Sequence, residues 1–177
     1  MNEFFLETER IAFSHWSKDD YNLALLLWGD ESVTKYISKT GKFTENEIND
    51  RLNLEIENQK QFNLQYWPIF EKATNEFIGC CGLRPHNIEK RVYETGFHLR
   101  SKHWGKGFGT EAARAIINYS FAKLNAAALF AGHNPNNIAS KKVLEKLGFQ
   151  YVNDEYYAPT GLYHPSYLYK QNNICTH

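Results

Sequence analysis

Cysteine is scarce in this sequence, with three in 177 residues. Two of them, Cys80 and Cys81, are neighbours, and neighbours on a strand point to opposite faces. That spacing excludes the disulfide framework on which small secreted domains depend. There is no Cys-x-x-Cys pair and no His-x-x-x-His spacing, and the seven histidines are scattered, so no metal site is expected. An excess of charge is missing as well: Lys plus Arg equals Asp plus Glu at 20 each. Without a global field, neither nucleic acid nor an anionic membrane is an expected partner. No window approaches the ~20 apolar residues of a membrane span, and "MNEFFLETERIAF" lacks the charged start and apolar run of a signal peptide. The expected location is the cytoplasm. What is present is ordinary for a globular protein: 42% hydrophobic, 23% charged and 15% aromatic residues. The length suits one domain, 1–177, with a full core.

Local signals divide the chain clearly. "ERIAFSHW" reads as a first strand. Ser17 with Asp20 forms a capping-box pattern ahead of a helix over Lys18 to Trp28, ended by Gly29. Asp30 to Ile37 suggests a short helix. Thr44 with Glu47 repeats the capping pattern before a longer one, in which Ile48, Leu52 and Ile56 recur every fourth residue. "FNLQYWPIF" and "FIGCCGLR", joined by "EKATNE", read as antiparallel strands, with "RVYETGFHLR" a third. Thr110 to Leu124 then places Ala113, Ile116, Ile117, Ser120 and Leu124 on one helical stripe. "AAALFAGH" follows as a strand, "NIASKKVLEKLGF" as a helix closed by Gly148, and "YHPSYLYK" as a last strand. This order predicts an α/β protein, in the α+β sense, with a mostly antiparallel central sheet flanked by helices.

Between the third strand of the meander and the Thr110 helix lies "WGKGFGT", with Gly105, Gly107 and Gly109 at alternate positions. Bare backbone where a helix begins lets successive N–H groups converge. Those first-turn groups lack internal partners and carry the positive end of the helix dipole, so the place suits a phosphate or pyrophosphate. The alternative is a glycine-rich turn with no ligand. The P-loop spacing is absent, and Thr110 stands where the dinucleotide fingerprint needs its third glycine.

"WGKGFGTEA" and "NPNNIASKKVLEKLGF", in this order, resemble the acyl-CoA pyrophosphate loop and the following helix of the GCN5-related N-acetyltransferases (GNAT). The likeness extends from "LETERIAF" through "DDYNLALLLWGDESVTKYI", "FIGCCGLR" and "YETGFHLR", and is strongest to the RimJ/RimL-like subgroup, whose members acetylate N-termini of ribosomal proteins. One departure stands out: Trp104 occupies the Gln/Arg position of the family pattern. This removes a side-chain contribution and leaves the main-chain loop intact.

The resemblance implies a splayed pair of central strands, with pantetheine lying in the gap on the main chain of Phe97 and Leu99, near His98. Residues Trp104, Gly105, Lys106, Gly107, Phe108, Gly109 and Thr110 would hold the pyrophosphate of acetyl-CoA. Asn137 and Ser140 match an Asn-x-x-Ser pair in which the Asn contacts pantetheine and the Ser protonates the departing thiolate; on the residues alone they read as a helix cap and a small packing residue. Glu94 matches the subgroup's Glu-x-Gly-aromatic stretch and is the candidate base for the acceptor amine; otherwise it is a surface residue paired with Arg91 or a lysine. His98, Tyr163 and His164 are weaker candidates. The implied activity is direct acetyl transfer from acetyl-CoA to a peptide N-terminal or small-molecule amine in a ternary complex. A non-catalytic acyl-CoA-binding module is the alternative. The acceptor is expected between residues 33–43 and the last hairpin, about residues 156–167. Pairing with a second copy as a homodimer is common in the group.

Overall fold

A computed structural model describes residues 3–171, which form an eight-stranded sheet with helices on both faces. In chain order the elements are β1 (Leu6–Glu7), β2 (Ile11–Phe13), α1 (Tyr21–Trp28), α2 (Glu31–Thr34), α3 (Glu45–Phe62), β3 (Tyr66–Glu71), β4 (Glu76–Asn87), β5 (Val92–Leu99), α4 (Phe108–Lys123), β6 (Ala128–Gly132), α5 (Ile138–Leu147), β7 (Gln150–Tyr157) and β8 (Leu162–Tyr169). The sheet order is β1-β2-β3-β4-β5-β6-β8-β7. Every neighbouring pair is antiparallel except β5 with β6. The expected mixed, mostly antiparallel architecture is the one observed.

Period-two alternation along the central strands builds two cores, one on each face. Trp67, Ile78, Cys81 and Leu83 pack with Ile116 of α4 and Leu144 of α5. Tyr66, Phe77 and Cys80 pack on the other face with Leu27 and Trp28 of α1 and with Ile48 and Leu52 of α3. The adjacent cysteines thus belong to different cores. Burial pushes the Cys80 thiol up to about 12 and the Cys81 thiol well above its ordinary value, so neither offers a thiolate. Cys175 lies outside the described residues.

Both capping boxes form, Ser17 with Asp20 and Thr44 with Glu47. Gly148 closes α5 in the left-handed conformation. Boundaries shift where local signals were weakest. The first helix begins with a 3₁₀ turn, Lys18–Asp20, before α1 proper, and α4 starts at Phe108, two residues ahead of Thr110. β7, which brings chain 150–157 back against β8, has no alternating pattern because all of its residues are exposed.

β5 lies in the interior of the sheet, between β4 and β6. It pairs with β4 along its whole length, from Val92 to Leu99. With β6 it pairs only at Val92, Tyr93 and Glu94. Beyond Glu94 the two strands part. β6 instead continues alongside β8 as far as Gly132.

Candidate active site

The three glycines at the end of this gap serve two different purposes. Gly105 and Gly107 have φ of +73° and +81°, a region that residues with a Cβ adopt at a cost. Gly109 is needed for space, since a Cβ there would lie 3.2 Å from the Phe97 ring. The first bond inside α4 runs from Glu111 N–H to the Gly107 carbonyl, at 3.1 Å. The N–H groups of residues 105–110 have no main-chain partner among the described residues. They form a row of free donors at a helix N-terminus, the arrangement that binds anions.

The main chain of β5 leads from this row into the gap. Arg100 N–H donates to Ile78 O of β4 at 2.9 Å. Because strand groups alternate in direction, the polar main-chain groups of Leu99 and Phe97 turn the other way, toward the edge that β6 has left. Trp104 explains its own presence here: its indole Nε1–H donates to the Leu99 carbonyl at 2.8 Å, anchoring the loop to the strand end. The same alternation turns the main chain of His98 toward β4. Its ring lines the cavity described below, 5.8 Å from the Tyr66 ring, and Nδ1 accepts from Trp28 Nε1–H at 3.1 Å. Burial, helped by Arg51 and Arg84, holds His98 well below its ordinary pKa, so the ring is neutral.

The gap continues into a cavity of about 300 Å³. Glu94 is on its wall, partly buried, and accepts from the Tyr66 hydroxyl at 3.3 Å. That partner replaces the Arg91 or lysine pairing. Burial, then the nearby Glu94, raises the Tyr66 pKa well above its ordinary value, so Tyr66 remains a phenol that donates. Gly96 makes room for it, because a Cβ there would come 2.5 Å from the Tyr66 oxygen. Behind Tyr66, fully buried Glu55 accepts from Arg51 Nε and Arg84 Nη2 at 3.0 and 2.7 Å and from Tyr66 N–H at 2.7 Å.

Asn137 and Ser140 line the same cavity. Asn137 caps α5, its Oδ1 accepting from Ser140 N–H at 3.2 Å. Tyr36 and Ile37 enter from the α2–α3 connection, and Tyr156, Tyr157 and His164 from the β7–β8 hairpin, which are the two borders expected for the acceptor. Tyr163 points elsewhere, at 65% exposure. His164 is buried and within 2.7 Å of Thr160 Oγ1. Burial, then the neighbouring His133, lowers its pKa.

Residues 10–150 match the model of the acetyltransferase (GNAT) domain. The chain is 35% identical over 148 residues to protein YkkB of Bacillus subtilis, covering 82% of this chain and 85% of that one. It is 32% identical over 145 residues to the uncharacterized N-acetyltransferase p20 of Bacillus licheniformis, covering 82% of each. The chain belongs to the GNAT acetyltransferase family. Its fold superposes on a GNAT-family acetyltransferase from Bacillus anthracis with a TM-score of 0.78 at 23% identity, covering 94% and 98% of the two chains. It also superposes on RimL, a ribosomal L7/L12 α-N-protein acetyltransferase in complex with coenzyme A, with a TM-score of 0.80 at 13% identity, covering 95% and 98%.

GNAT enzymes use acetyl-CoA, and the unpaired donors of residues 105–110 together with the open β5 edge suit its pyrophosphate and its amide-bearing arm. A clamp that holds the loop escaped the sequence reading. Glu111 accepts from Arg10 N–H and Thr8 Oγ1, at 3.0 and 2.6 Å, and pairs with the Arg10 guanidinium at 2.7 Å. Arg10 Nη1 in turn donates to Lys106 O at 3.0 Å. Burial would raise the Glu111 pKa, but the bonds from Thr8 and Arg10 outweigh it and hold the carboxyl below the usual range. No spacing rule links residues a hundred positions apart, so only the Glu in "GTEA" hinted at it. No helix among the described residues is long and apolar enough to cross a membrane.

Proposed function

We propose that this acetyltransferase moves an acetyl group from acetyl-CoA to a primary amine by direct attack within a ternary complex, as in the RimJ/RimL-like branch of the family. What supports the reading is a single strand, β5, whose edge is open beyond Glu94, whose Glu94 carboxylate lines the cavity, and beyond whose end lie the unpaired N–H groups of residues 105–110. The N–H groups of residues 105–110 hold the pyrophosphate, with Lys106 beside them. The main-chain groups of Phe97 and the N–H of Leu99 hold the pantetheine amides, and Asn137 lies along the same path. Acetyl-CoA supplies the activated acyl carbon. A main-chain N–H on the β5 edge stabilises the negative charge that develops on the acyl oxygen.

Glu94 takes the proton from the attacking amine, directly or through one water, and Tyr66 fixes the orientation of its carboxylate. As the new C–N bond forms, the C–S bond breaks, the departing sulfur takes a proton from Ser140, and Ser140 regains one through water as Glu94 releases the proton it took from the amine. The buried, protonated cysteines support transfer without a covalent enzyme intermediate. A thiol-release assay with acetyl-CoA over a panel of peptides and small amines tests the proposal. Release that depends on an added amine is the expected result. Stable labelled acetyl on Ser140 or a cysteine during turnover would overturn direct attack, and coenzyme A binding with no release for any amine would leave a binding module in its place.

A further inference from the structure

One hydrogen bond fixes the form of the His98 ring. An indole nitrogen can only donate, and Trp28 Nε1–H lies 3.1 Å from His98 Nδ1, so Nδ1 carries no proton. A neutral imidazole with a bare Nδ1 has its proton on Nε2. The ring then has no free lone pair, because Nδ1 is taken by Trp28 and Nε2 is an N–H donor. His98 is therefore no base for the amine; it is a donor of fixed direction.

That donor has no partner among the described residues, in which the ring makes no side-chain hydrogen bond but the one to Trp28. Nor is it one of the nitrogens closed off without a partner, which are Arg51 Nη2, Arg84 Nε and both ring nitrogens of His103. Unpaired and not closed off, Nε2–H opens on the cavity that the ring lines. Glu94 and His98 stand on the same face of β5 with Gly96 between them, and the Tyr66 hydroxyl fills the space over Gly96. Four residues of strand separate them by about 13 Å between Cα atoms. The groups packed around the ring do not favour a second proton on it. Arg51 of α3 and Arg84 of β4 are spent on Glu55 and remain cations, and the Cys80 thiol opposite on β4 and the Tyr66 phenol on β3 stay protonated.

An amine with its nitrogen at Glu94 and its chain along β5 runs past this donor. A methylene at that point would strip the N–H of water and give nothing back, whereas an oxygen replaces the lost bond. A second ammonium has no lone pair to offer there. We propose that His98 Nε2–H binds an uncharged oxygen of the acceptor, a hydroxyl, ether or amide, several bonds from the amine that reacts at Glu94. This rests on the N-acetyltransferase reading, and its first test needs no turnover. In the full-length protein with isotope-labelled histidine, nitrogen NMR from about pH 6 to 8 should show His98 with Nε2 protonated and Nδ1 bare throughout, its signals identified by their loss in His98→Gln. The opposite tautomer, or a ring that gains a second proton in that range, overturns the proposal.

Thiol release from acetyl-CoA is then measured with ω-methoxyalkylamines of increasing length, each against the alkylamine in which a methylene replaces the oxygen. The best methoxy amine should have a KM about three- to tenfold below that of its alkyl partner, with kcat little changed. The advantage should be kept in His98→Gln, which retains an N–H donor, and lost in His98→Leu. Equal ratios in the two variants, or no advantage at any length in the unsubstituted protein, overturn the proposal, and the second outcome does not depend on a variant folding. If no amine is turned over, the N-acetylated pairs are titrated calorimetrically into the protein with coenzyme A. Tighter binding of the methoxy member upholds the donor while the transfer reading fails. Equal binding, or binding of neither, overturns the donor as well.

Discussion

The two ends of the cleft are built from different material. At residues 104–110 the donors are main-chain N–H groups, and side chains matter mainly by being small or by anchoring the loop, as Trp104 does on the Leu99 carbonyl. In the cavity at the other end the polar groups are side chains from α3, β3, β4 and β5: Arg51, Glu55, Tyr66, Arg84 and Glu94. A main-chain site depends on conformation, so many sequences can supply it provided the glycines stand where φ is positive. A side-chain site depends on identity, and one substitution changes what it accepts.

The comparison breaks most visibly at Glu94. Glu94→Gln should lower kcat by about 100-fold or more, in the range for loss of a general base, while the affinity for coenzyme A measured by calorimetry stays the same. A comparable loss of coenzyme A affinity would show that the two ends are one site. The next effect is smaller and lies at the other end. In Gly107→Ala the left-handed conformation costs about 1–2 kcal/mol, and the new Cβ meets Arg10 Nη2 at 3.4 Å. The free loop should relax away from this shape, weakening coenzyme A binding about tenfold with the preference among acceptors unchanged.

Asn137→Ala separates a helix cap from a cofactor contact. Loss of the cap alone should cost about 1 kcal/mol and lower Tm by about 2–4 °C, with coenzyme A affinity intact. A fall in affinity beyond that would place Asn137 in the cofactor site too. The smallest effect concerns pH. The Glu111 pKa is depressed on folding from an ordinary value of 4.5. Its contribution is therefore fully present above that value and is lost as pH falls through the lower, folded one. Acid titration of stability should show a shallower decline below about pH 5 in Glu111→Gln than in the unsubstituted protein.

The helices with capping boxes, the meander and the glycine turn were all legible in the sequence, because each is signalled within a few residues of itself. β7 was not legible as a strand by its own pattern. Exposed on both faces, it carries no alternation and owes its conformation to β8. Family likeness placed Glu94, Asn137 and Ser140 in one region, and the structure lines a single cavity with them. It did not find Arg51, Glu55 or Arg84. In the sequence Glu55 looks like one more charge on an amphipathic helix, yet it is fully buried.

By itself the sequence determined the local conformations: where helices start and stop, which residues alternate, and where the backbone is left bare at the N-terminus of α4. These follow from short-range sterics and from caps that reach three residues along the chain. Only the tertiary structure decided which distant groups meet: Arg10 with Glu111, Tyr66 with Glu94, and two arginines on one buried carboxylate. Those pairings depend on strand register and on how α3 lies across the sheet, and both are fixed by the packing of the whole core rather than by any single stretch of chain.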